Sequence, residues 1–260
     1  MEYCSAVHPF LDHPLPLAIA HRGGSLDGVE NTMSAFAAAV AMGYRYLETD
    51  VRVTADGEVV VFHDARLDRV IEQSGRLSDL SWTQLEHLRV GGREPVPRLA
   101  EMLKSWPDVR LLIDPKTDEA VDPLIDVLRV HDAVDRVCVG SFSDERLRRV
   151  RAAFGPALCT SMSPRELLPL RLAAWGLRTV SAVPTTARCV QIPVRYGPVP
   201  LAEPRLIGMA HDLGLQVHMW TINDRPTMET LLDLGVDGII TDDLATLRDV
   251  LRARQAWHGG

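Results

Sequence analysis

The sequence predicts an α/β protein built as a (β/α)8 TIM barrel. Short runs rich in β-branched residues alternate with amphipathic helical segments along all 260 residues. Once one hairpin arm is set aside, eight candidate parallel strands match eight candidate helices, which is the count of this barrel. An open doubly wound sheet is the second interpretation, but Gly23-Gly24 is too short to be the Gly-rich phosphate loop expected after its first strand.

Nine short apolar runs are candidate strands, and they cover residues 17–20, 46–51, 59–62, 110–113, 136–140, 157–161, 179–183, 216–220 and 238–241. Only a short segment containing the turn pair Asp56-Gly57 separates the second run from the third. Because a parallel crossover needs a dozen or more residues, these two runs must form a hairpin. The other eight runs are therefore the predicted barrel strands.

Helical periodicity between these runs predicts eight barrel helices. Met33, Phe36, Ala37 and Val40 mark the apolar stripe of the first helix, and Thr32 can cap its start. The remaining seven helices are expected at 98–106, 121–128, 143–154, 164–173, 204–213, 226–234 and 243–254.

A short insertion is expected after the second barrel strand, over about residues 53–97. It contains the arm of the hairpin and a further helix at 79–89. No stretch of the sequence is typical of a linker between domains, so the expected organisation is one domain spanning residues 1–260.

Composition and charge exclude several classes of protein. The net charge of −7 argues against a nucleic-acid-binding surface, since such surfaces are usually basic. No apolar run has the length of a signal sequence or a membrane span, which predicts a cytoplasmic protein without an integral membrane segment. The four cysteines have no CxxC spacing and are expected to be buried structural thiols: Cys4, Cys138, Cys159 and Cys189. The sequence leaves the oligomeric state open.

Acidic residues lie where two of the predicted strands end. Glu48 and Asp50 are two residues apart, so their side chains point to the same side of a strand, and Asp114 ends the next barrel strand. The carboxyl ends of barrel strands converge on one pocket. Because carboxylates this close repel one another without a cation, the three residues predict a site for Mg²⁺ or Ca²⁺.

Groups that transfer protons or bind anions lie beside these carboxylates. His21 and His63 each follow an apolar run and are the candidate acid and base. Arg22 and Lys116 add positive charge and hydrogen-bond donors, and together with a divalent cation they suit a phosphate group. Trp220 ends the seventh barrel strand and offers an apolar wall to the uncharged part of a substrate.

His218 is a weaker candidate on that same strand. It alternates with Gln216 and Trp220, so an inward position of its side chain is open, and it is a second-tier candidate. A buried histidine of this kind serves packing more often than catalysis, and no role is assigned to it from the sequence.

The sequence resembles the glycerophosphodiester phosphodiesterase family over about residues 17 to 250. Segments similar to the family's motifs occur in the family's order, and they are Ala20-His21-Arg22-Gly23, Glu30-Asn31-Thr32, Glu48-Thr49-Asp50-Val51, Val61-Phe62-His63-Asp64, Leu67-Asp68-Arg69, Val96-Pro97-Arg98-Leu99, Trp220-Thr221-Ile222-Asn223 and Gly235-Val236-Asp237-Gly238-Ile239-Ile240-Thr241-Asp242. The resemblance implies a TIM barrel that uses a divalent metal to hydrolyse glycerophosphodiesters to sn-glycerol 3-phosphate and an alcohol.

The resemblance also implies roles for individual residues. His21 and His63 match the family's catalytic histidines, and Glu48 and Asp50 match its metal ligands. Three further residues match positions that contact the substrate: Arg22 and Lys116 at the phosphate and Trp220 at the glycerol. The third metal ligand departs from the family, since Asp114 stands where a Glu is common; similar sphingomyelinase D-like barrels also have Asp there.

Two other functions stay open at this stage. The same site acting on lysophospholipids would make the chain a lysophospholipase D, which needs an apolar groove near the barrel mouth. A phosphodiester-binding protein without activity is the third interpretation. It is disfavoured because none of the acid, base or metal-ligating residues is missing.

Overall fold

A nearly closed barrel of eight parallel strands with helices between them forms the centre of the computed structural model, which describes residues 8–24, 29–179, 183 and 185–259. The strands within those ranges are β1 (Leu17–His21), β2 (Tyr46–Val53), β3 (Val59–Val61), β4 (Arg89–Val90), β5 (Glu94–Pro95), β6 (Arg110–Pro115), β7 (Val137–Val139), β8 (Cys159–Thr160), β9 (Cys189–Pro193), β10 (Arg195–Tyr196), β11 (Val199–Pro200), β12 (Gln216–Trp220) and β13 (Gly238–Thr241). The helices are α1 (Met33–Ala41), α2 (Trp82–Leu85), α3 (Leu99–Ser105), α4 (Val121–Val130), α5 (Asp144–Phe154), α6 (Pro164–Ala174), α7 (Pro204–Asp212), α8 (Arg225–Asp233) and α9 (Leu244–Ala253).

The order of the strands confirms the predicted barrel. Neighbouring barrel strands pair in parallel in the order β8-β7-β6-β2-β1-β13-β12-β9. An isolated parallel bridge between Ser161 and Cys189 brings the two ends of this sheet together. The predicted hairpin is also confirmed, because β3 pairs antiparallel with β2 and places Val61 opposite Val51.

The sixth barrel strand lies further along the chain than the sequence pattern predicts. It is β9, which pairs with β12 over five residues, whereas the prediction placed it at 179–183. Thr179 and Val183 belong to no strand, and residues 180–182 lie outside the described residues. The run in β9 contains a cysteine, a glutamine and a proline, so its strand pattern is weak. Pairing with β12, rather than local propensity, determines it.

The insertion after β2 is less helical than predicted. In place of a helix over 79–89, the chain forms a 3-10 turn at Leu77–Asp79 and the four-residue helix α2. Buried side chains of this insertion form a small cluster of their own, which includes Phe62, Leu67 and Leu77. The insertion therefore packs as a compact layer beside the start of α3.

Side chains that alternate between the two faces of the barrel strands form two separate apolar cores. Leu17, Ile19 and Leu112 belong to the cluster inside the barrel, whereas Leu47 and Leu111 belong to the cluster beneath the helices. This in-and-out pattern follows from the period of two in a strand. It means that the inward side chains near the carboxyl ends of the strands open onto one mouth.

The turn from β1 to α1 depends on Gly23. Its φ of +85° suits glycine, and a Cβ atom added there would lie 2.9 Å from the backbone carbonyl carbon of Ala35 and from the nitrogen of Phe36. The backbone that follows β1 therefore approaches α1 too closely for a side chain to fit at Gly23. This contact holds the residues that follow His21 against the first helix.

We expect Gly23→Ala to lower the free energy of unfolding by about 2–4 kcal/mol, because backbone strain and overpacking act together. Gly57→Ala is the matched control, since its φ is +89° but no described atom lies within 4 Å of an added Cβ. The control is expected to cost about 1 kcal/mol, from backbone strain alone. Urea denaturation of both variants measures the difference, and equal losses would show that the contact with α1 is unimportant.

Candidate active site

Four of the predicted site residues, His21, Glu48, Asp50 and Asp114, meet at the carboxyl ends of three adjacent strands. In the β1–β2 pairing His21 lies opposite Glu48, and in the β2–β6 pairing Asp50 lies opposite Asp114. Lys116 follows β6 directly, and its backbone nitrogen donates to the carbonyl oxygen of Val51 at 3.0 Å. The strand register, and not proximity in sequence, brings these groups together.

His21 is held by two carboxylates. Its Nδ1 lies 2.7 Å from Oδ1 of Asp242, and its Nε2 lies 3.8 Å from Oε2 of Glu48. Burial works to lower the pKa of His21, but Glu48 and Asp242 outweigh it and raise the pKa above its usual value. Asn223 orients Asp242 by donating from Nδ2 to its Oδ2 at 2.8 Å. With Nδ1 bonded to Asp242, Nε2 is the nitrogen that faces the other site groups.

Two buried carboxylates, Glu48 and Asp50, form the centre of the site together with the partly buried Asp114 and Lys116. The Nζ atom of Lys116 lies 2.6 Å from Oδ1 of Asp50 and 2.6 Å from Oδ2 of Asp114. Burial raises the pKa of Asp50, but Lys116 and Arg22 outweigh it and hold the pKa below its usual value. Burial also raises the pKa of Asp114, and Lys116 opposes this only in part.

Glu48 differs from the other two carboxylates because it forms an ion pair with the ring of His21, at 3.8 Å, and not with Lys116. Burial, together with the nearby charge of Asp50, raises the pKa of Glu48 to about 7. A buried carboxyl group with a raised pKa indicates a site that is short of positive charge. Glu48, Asp50 and Asp114 supply the oxygen donors that Mg²⁺ or Ca²⁺ takes, so this donor set fits a divalent cation.

A chain of ion pairs connects Arg22 to His63. Nη1 of Arg22 donates to Oε1 of Glu30 at 2.9 Å, and Nη2 of Arg69 donates to the same oxygen at 2.6 Å. Arg69 also donates from Nε to Oδ2 of Asp64, whose Oδ1 lies 2.6 Å from Nδ1 of His63. His63 therefore approaches the site from the insertion, beyond the end of β3, and this network fixes its position.

Two residues near the site adopt backbone conformations that side chains usually avoid. Arg22 has a φ of +53° and Asn31 a φ of +54°. The backbone nitrogen of Asn31 donates to the carbonyl oxygen of Arg22 at 2.8 Å, and its Nδ2 donates to Oδ2 of Asp50 at 3.3 Å. Strained backbone of this kind clusters at functional sites, where the surrounding bonds maintain it.

Trp220 lies at the mouth, at the end of β12. It is partly exposed, and its ring packs edge to face against Phe142, with ring centroids 5.9 Å apart. Phe142 itself is 63% exposed. The two rings form an accessible aromatic surface at the barrel mouth.

Four charged residues of this arrangement were given no role from the sequence: Glu30, Asp64, Arg69 and Asp242. All four belong to the motif segments quoted above, so the sequence offered a signal for them. Asp242 is 221 positions from His21, and only closure of the barrel between β1 and β13 brings the two together. Each predicted catalytic histidine thus has a carboxylate partner, and the sequence analysis predicted neither pairing.

Glu30 is expected to stabilise the fold in its charged form. Burial raises the pKa of Glu30, but Arg69 and Arg22 outweigh it and lower the pKa below 4.5. The charged carboxylate therefore contributes stability above pH 4.5, and this contribution is lost as the pH falls towards the lowered folded-state pKa. We expect Glu30→Gln to lower the free energy of unfolding at pH 7 by about 1–3 kcal/mol.

Urea denaturation of the Glu30→Gln variant from pH 7 to pH 3 tests this. The difference from the unmodified chain is expected to shrink below pH 4.5. Glu229→Gln is the control, because Glu229 forms an exposed pair with Arg225 and should contribute less than about 1 kcal/mol. A constant difference at every pH would contradict the assignment.

Comparison with known proteins agrees with this geometry. The sequence profile of the glycerophosphoryl diester phosphodiesterase family matches residues 21–246. A curated protein of Mycobacterium tuberculosis, named "Probable glycerophosphodiester phosphodiesterase 2", is 39% identical over 257 residues and covers 96% of both chains. The chain belongs to the glycerophosphoryl diester phosphodiesterase family.

Two further relatives indicate the range of this family. A lysophospholipase D of Rattus norvegicus is 27% identical over 274 residues and covers 92% of this chain and 87% of its own. A crystal structure of a candidate glycerophosphoryl diester phosphodiesterase from Silicibacter pomeroyi superposes with a TM-score of 0.77 at 26% identity, covering 93% of this chain and 95% of its own. The fold of the family is therefore the fold described above. Among the described residues, no helix has both the length and the apolarity needed to cross a membrane.

Proposed function

We propose that the chain hydrolyses glycerophosphodiesters to sn-glycerol 3-phosphate and an alcohol, with His21 and His63 as the acid–base pair. The observation that carries this proposal is the pairing of each histidine with its own carboxylate, Asp242 for His21 and Asp64 for His63. A histidine oriented in this way presents its second ring nitrogen to a substrate. Two such histidines beside a buried cluster of acidic and basic groups suit phosphodiester cleavage.

A divalent cation is part of this proposal, and members of the family generally depend on one. Glu48, Asp50 and Asp114 would hold Mg²⁺ or Ca²⁺. Such a cation neutralises negative charge on the nonbridging oxygens of a phosphate. Arg22 and Lys116 are already held beside these carboxylates and would bind the same phosphate group through their remaining N–H donors.

The proton transfers are assigned to the two histidines. Asp242 accepts a hydrogen bond from Nδ1 of His21, and Asp64 does the same for His63, which leaves Nε2 of each ring for the substrate. One histidine protonates the oxygen of the leaving alcohol while the other removes a proton from the attacking oxygen. The attacking oxygen is either water or the 2-hydroxyl group of the glycerol, which would pass through a cyclic phosphate.

A coupled assay for sn-glycerol 3-phosphate tests the proposed activity. Glycerophosphocholine, glycerophosphoethanolamine and glycerophosphoglycerol are incubated with the chain in Mg²⁺, Ca²⁺ or Mn²⁺. We expect product release that EDTA abolishes and that restored cation recovers. Binding of the diesters without any release of product would support a non-catalytic binding protein and contradict the proposal.

A lysophospholipase D activity is the second candidate, and the exposed pair Phe142 and Trp220 favours it. An aromatic surface at the mouth can bind an acyl chain as well as a glycerol backbone. Comparing kcat/KM for glycerophosphocholine with that for lysophosphatidylcholine distinguishes the two activities. The single-domain organisation over residues 1–260 and the cytoplasmic location stay predictions.

A further inference from the structure

Three cysteines meet inside the barrel, away from the carboxylates of the mouth. Cys138, Cys159 and Cys189 begin or lie within the successive strands β7, β8 and β9, and all three are fully buried free thiols. Cys138 lies opposite Leu112 in the sheet, one inward position deeper than Asp114. Their burial confirms the expectation of buried thiols, but their convergence on one point was not predicted.

The distances between the three sulfur atoms suit a metal ion. All three Sγ atoms lie within 4.8 Å of one another, and those of Cys138 and Cys189 are 3.8 Å apart. Thiolates bound to tetrahedral zinc at about 2.3 Å are separated from each other by about 3.8 Å. A displacement of the Cys159 sulfur by up to about 1 Å would complete this geometry.

His218 supplies a fourth donor next to this cluster. It is fully buried on β12, where strand pairing places it opposite Gln191 of β9, two positions along that strand from Cys189. Its Nε2 lies 3.2 Å from Oε1 of Gln216 and its Nδ1 lies 3.4 Å from Nε2 of Gln191. Metal binding at Nδ1 would replace the longer contact and keep the shorter one, which is the kind that orients a histidine ligand. Gly238 provides the space for the ring, since a Cβ at that position would lie 2.9 Å from Cδ2 of His218.

We propose that Cys138, Cys159, Cys189 and His218 form a structural zinc site inside the barrel. Three thiolates and one imidazole make a closed tetrahedral set, which is typical of structural and not catalytic zinc. Soft sulfur ligands select zinc, whereas the carboxylates of the mouth select Mg²⁺ or Ca²⁺, so the two sites take different metals. Binding releases the protons of the three thiols.

The position of this site explains what the metal would do. β8 contains only two residues, and an isolated bridge between Ser161 and Cys189 joins it to β9. The zinc would connect β7, β8, β9 and β12, and so would cross the seam where the sheet closes. Its contribution is therefore to the stability of the closed barrel, not to hydrolysis at the mouth.

Cobalt substitution tests this proposal directly. The full chain is unfolded with reductant and chelator, transferred to chelator-free buffer, and refolded with Co²⁺. We expect the near-ultraviolet charge-transfer band of cobalt thiolate and the visible bands of tetrahedral cobalt, both removed by added Zn²⁺. Cobalt bound to carboxylates has no thiolate band. A double variant, Glu48→Gln with Asp50→Asn, removes carboxylates of the mouth and should therefore keep both the thiolate band and the bands of tetrahedral cobalt.

Elemental analysis provides a second measurement on the unmodified chain. After expression in zinc-supplemented medium and dialysis against EDTA, we expect about one equivalent of zinc to remain, because the site is closed to solvent. Cys189→Ser should lose both the zinc and the thiolate band.

Two results would overturn the zinc site. The first is a folded, unmodified chain that has no thiolate–cobalt band after refolding and retains less than about 0.1 equivalent of zinc. The second is loss of two free thiols under non-reducing denaturing conditions, which would indicate a disulfide between Cys138 and Cys189. Both measurements use the unmodified chain. They therefore test the zinc site even if the Cys189→Ser variant fails to fold.

Discussion

Replacing His21 or His63 by alanine is expected to lower kcat for glycerophosphodiester hydrolysis by about 10²–10⁴-fold, the usual contribution of a positioned acid or base. KM should change much less, because the phosphate is bound by other groups. The two single variants should lose similar amounts of activity, and the double variant should lose less than the product of both. Non-additive loss of this kind is typical of residues that act in one step.

The control for this pair is His87→Ala. The side chain of His87 is 78% exposed and pairs weakly with Glu86 at 4.0 Å, so its removal should leave kcat unchanged. Circular dichroism and thermal melting of each variant show whether the barrel still folds. Near-normal kcat in folded His21→Ala and His63→Ala chains would contradict the assignment of the acid–base pair.

Replacing Glu48 by glutamine or Asp114 by asparagine is expected to raise the cation concentration for half-maximal activity by at least about 10-fold, since loss of even an outer-shell partner has that effect. At saturating cation, kcat should remain below that of the unmodified chain, because one charge that positions the cation is missing. Activity titrated against Mg²⁺, Ca²⁺ and Mn²⁺ measures both effects. Calorimetric titration of the cation, without substrate, measures the loss of affinity separately.

Asp122→Asn is the matched control for the carboxylates. Asp122 lies in the first turn of α4 and is 75% exposed, so its neutralisation removes one negative charge without touching the site. Its cation dependence should equal that of the unmodified chain. If Glu48→Gln and Asp114→Asn also keep the normal cation dependence, these residues do not hold the metal, and another donor set is required.

Lys116 shows what local pattern alone can and cannot predict about this site. The sequence predicted that Lys116 would lie near Asp114, because the two are separated by one residue at a strand end. That Lys116 also bonds to Asp50 depends on the pairing of β2 with β6. Local periodicity determines which face of a strand a side chain occupies, but its partner across the sheet depends on register.

The amino-acid sequence by itself determined the (β/α)8 class, the hairpin after the second strand and the strand ends that carry His21, Glu48, Asp50 and Asp114. These follow from short-range periodicity and from the length of one connection. Tertiary structure alone decided that β9 is the sixth strand, that Asp242 holds His21, and that Cys138, Cys159 and Cys189 meet. Each of these depends on closure of the barrel, which joins residues distant in the chain and has no local signal.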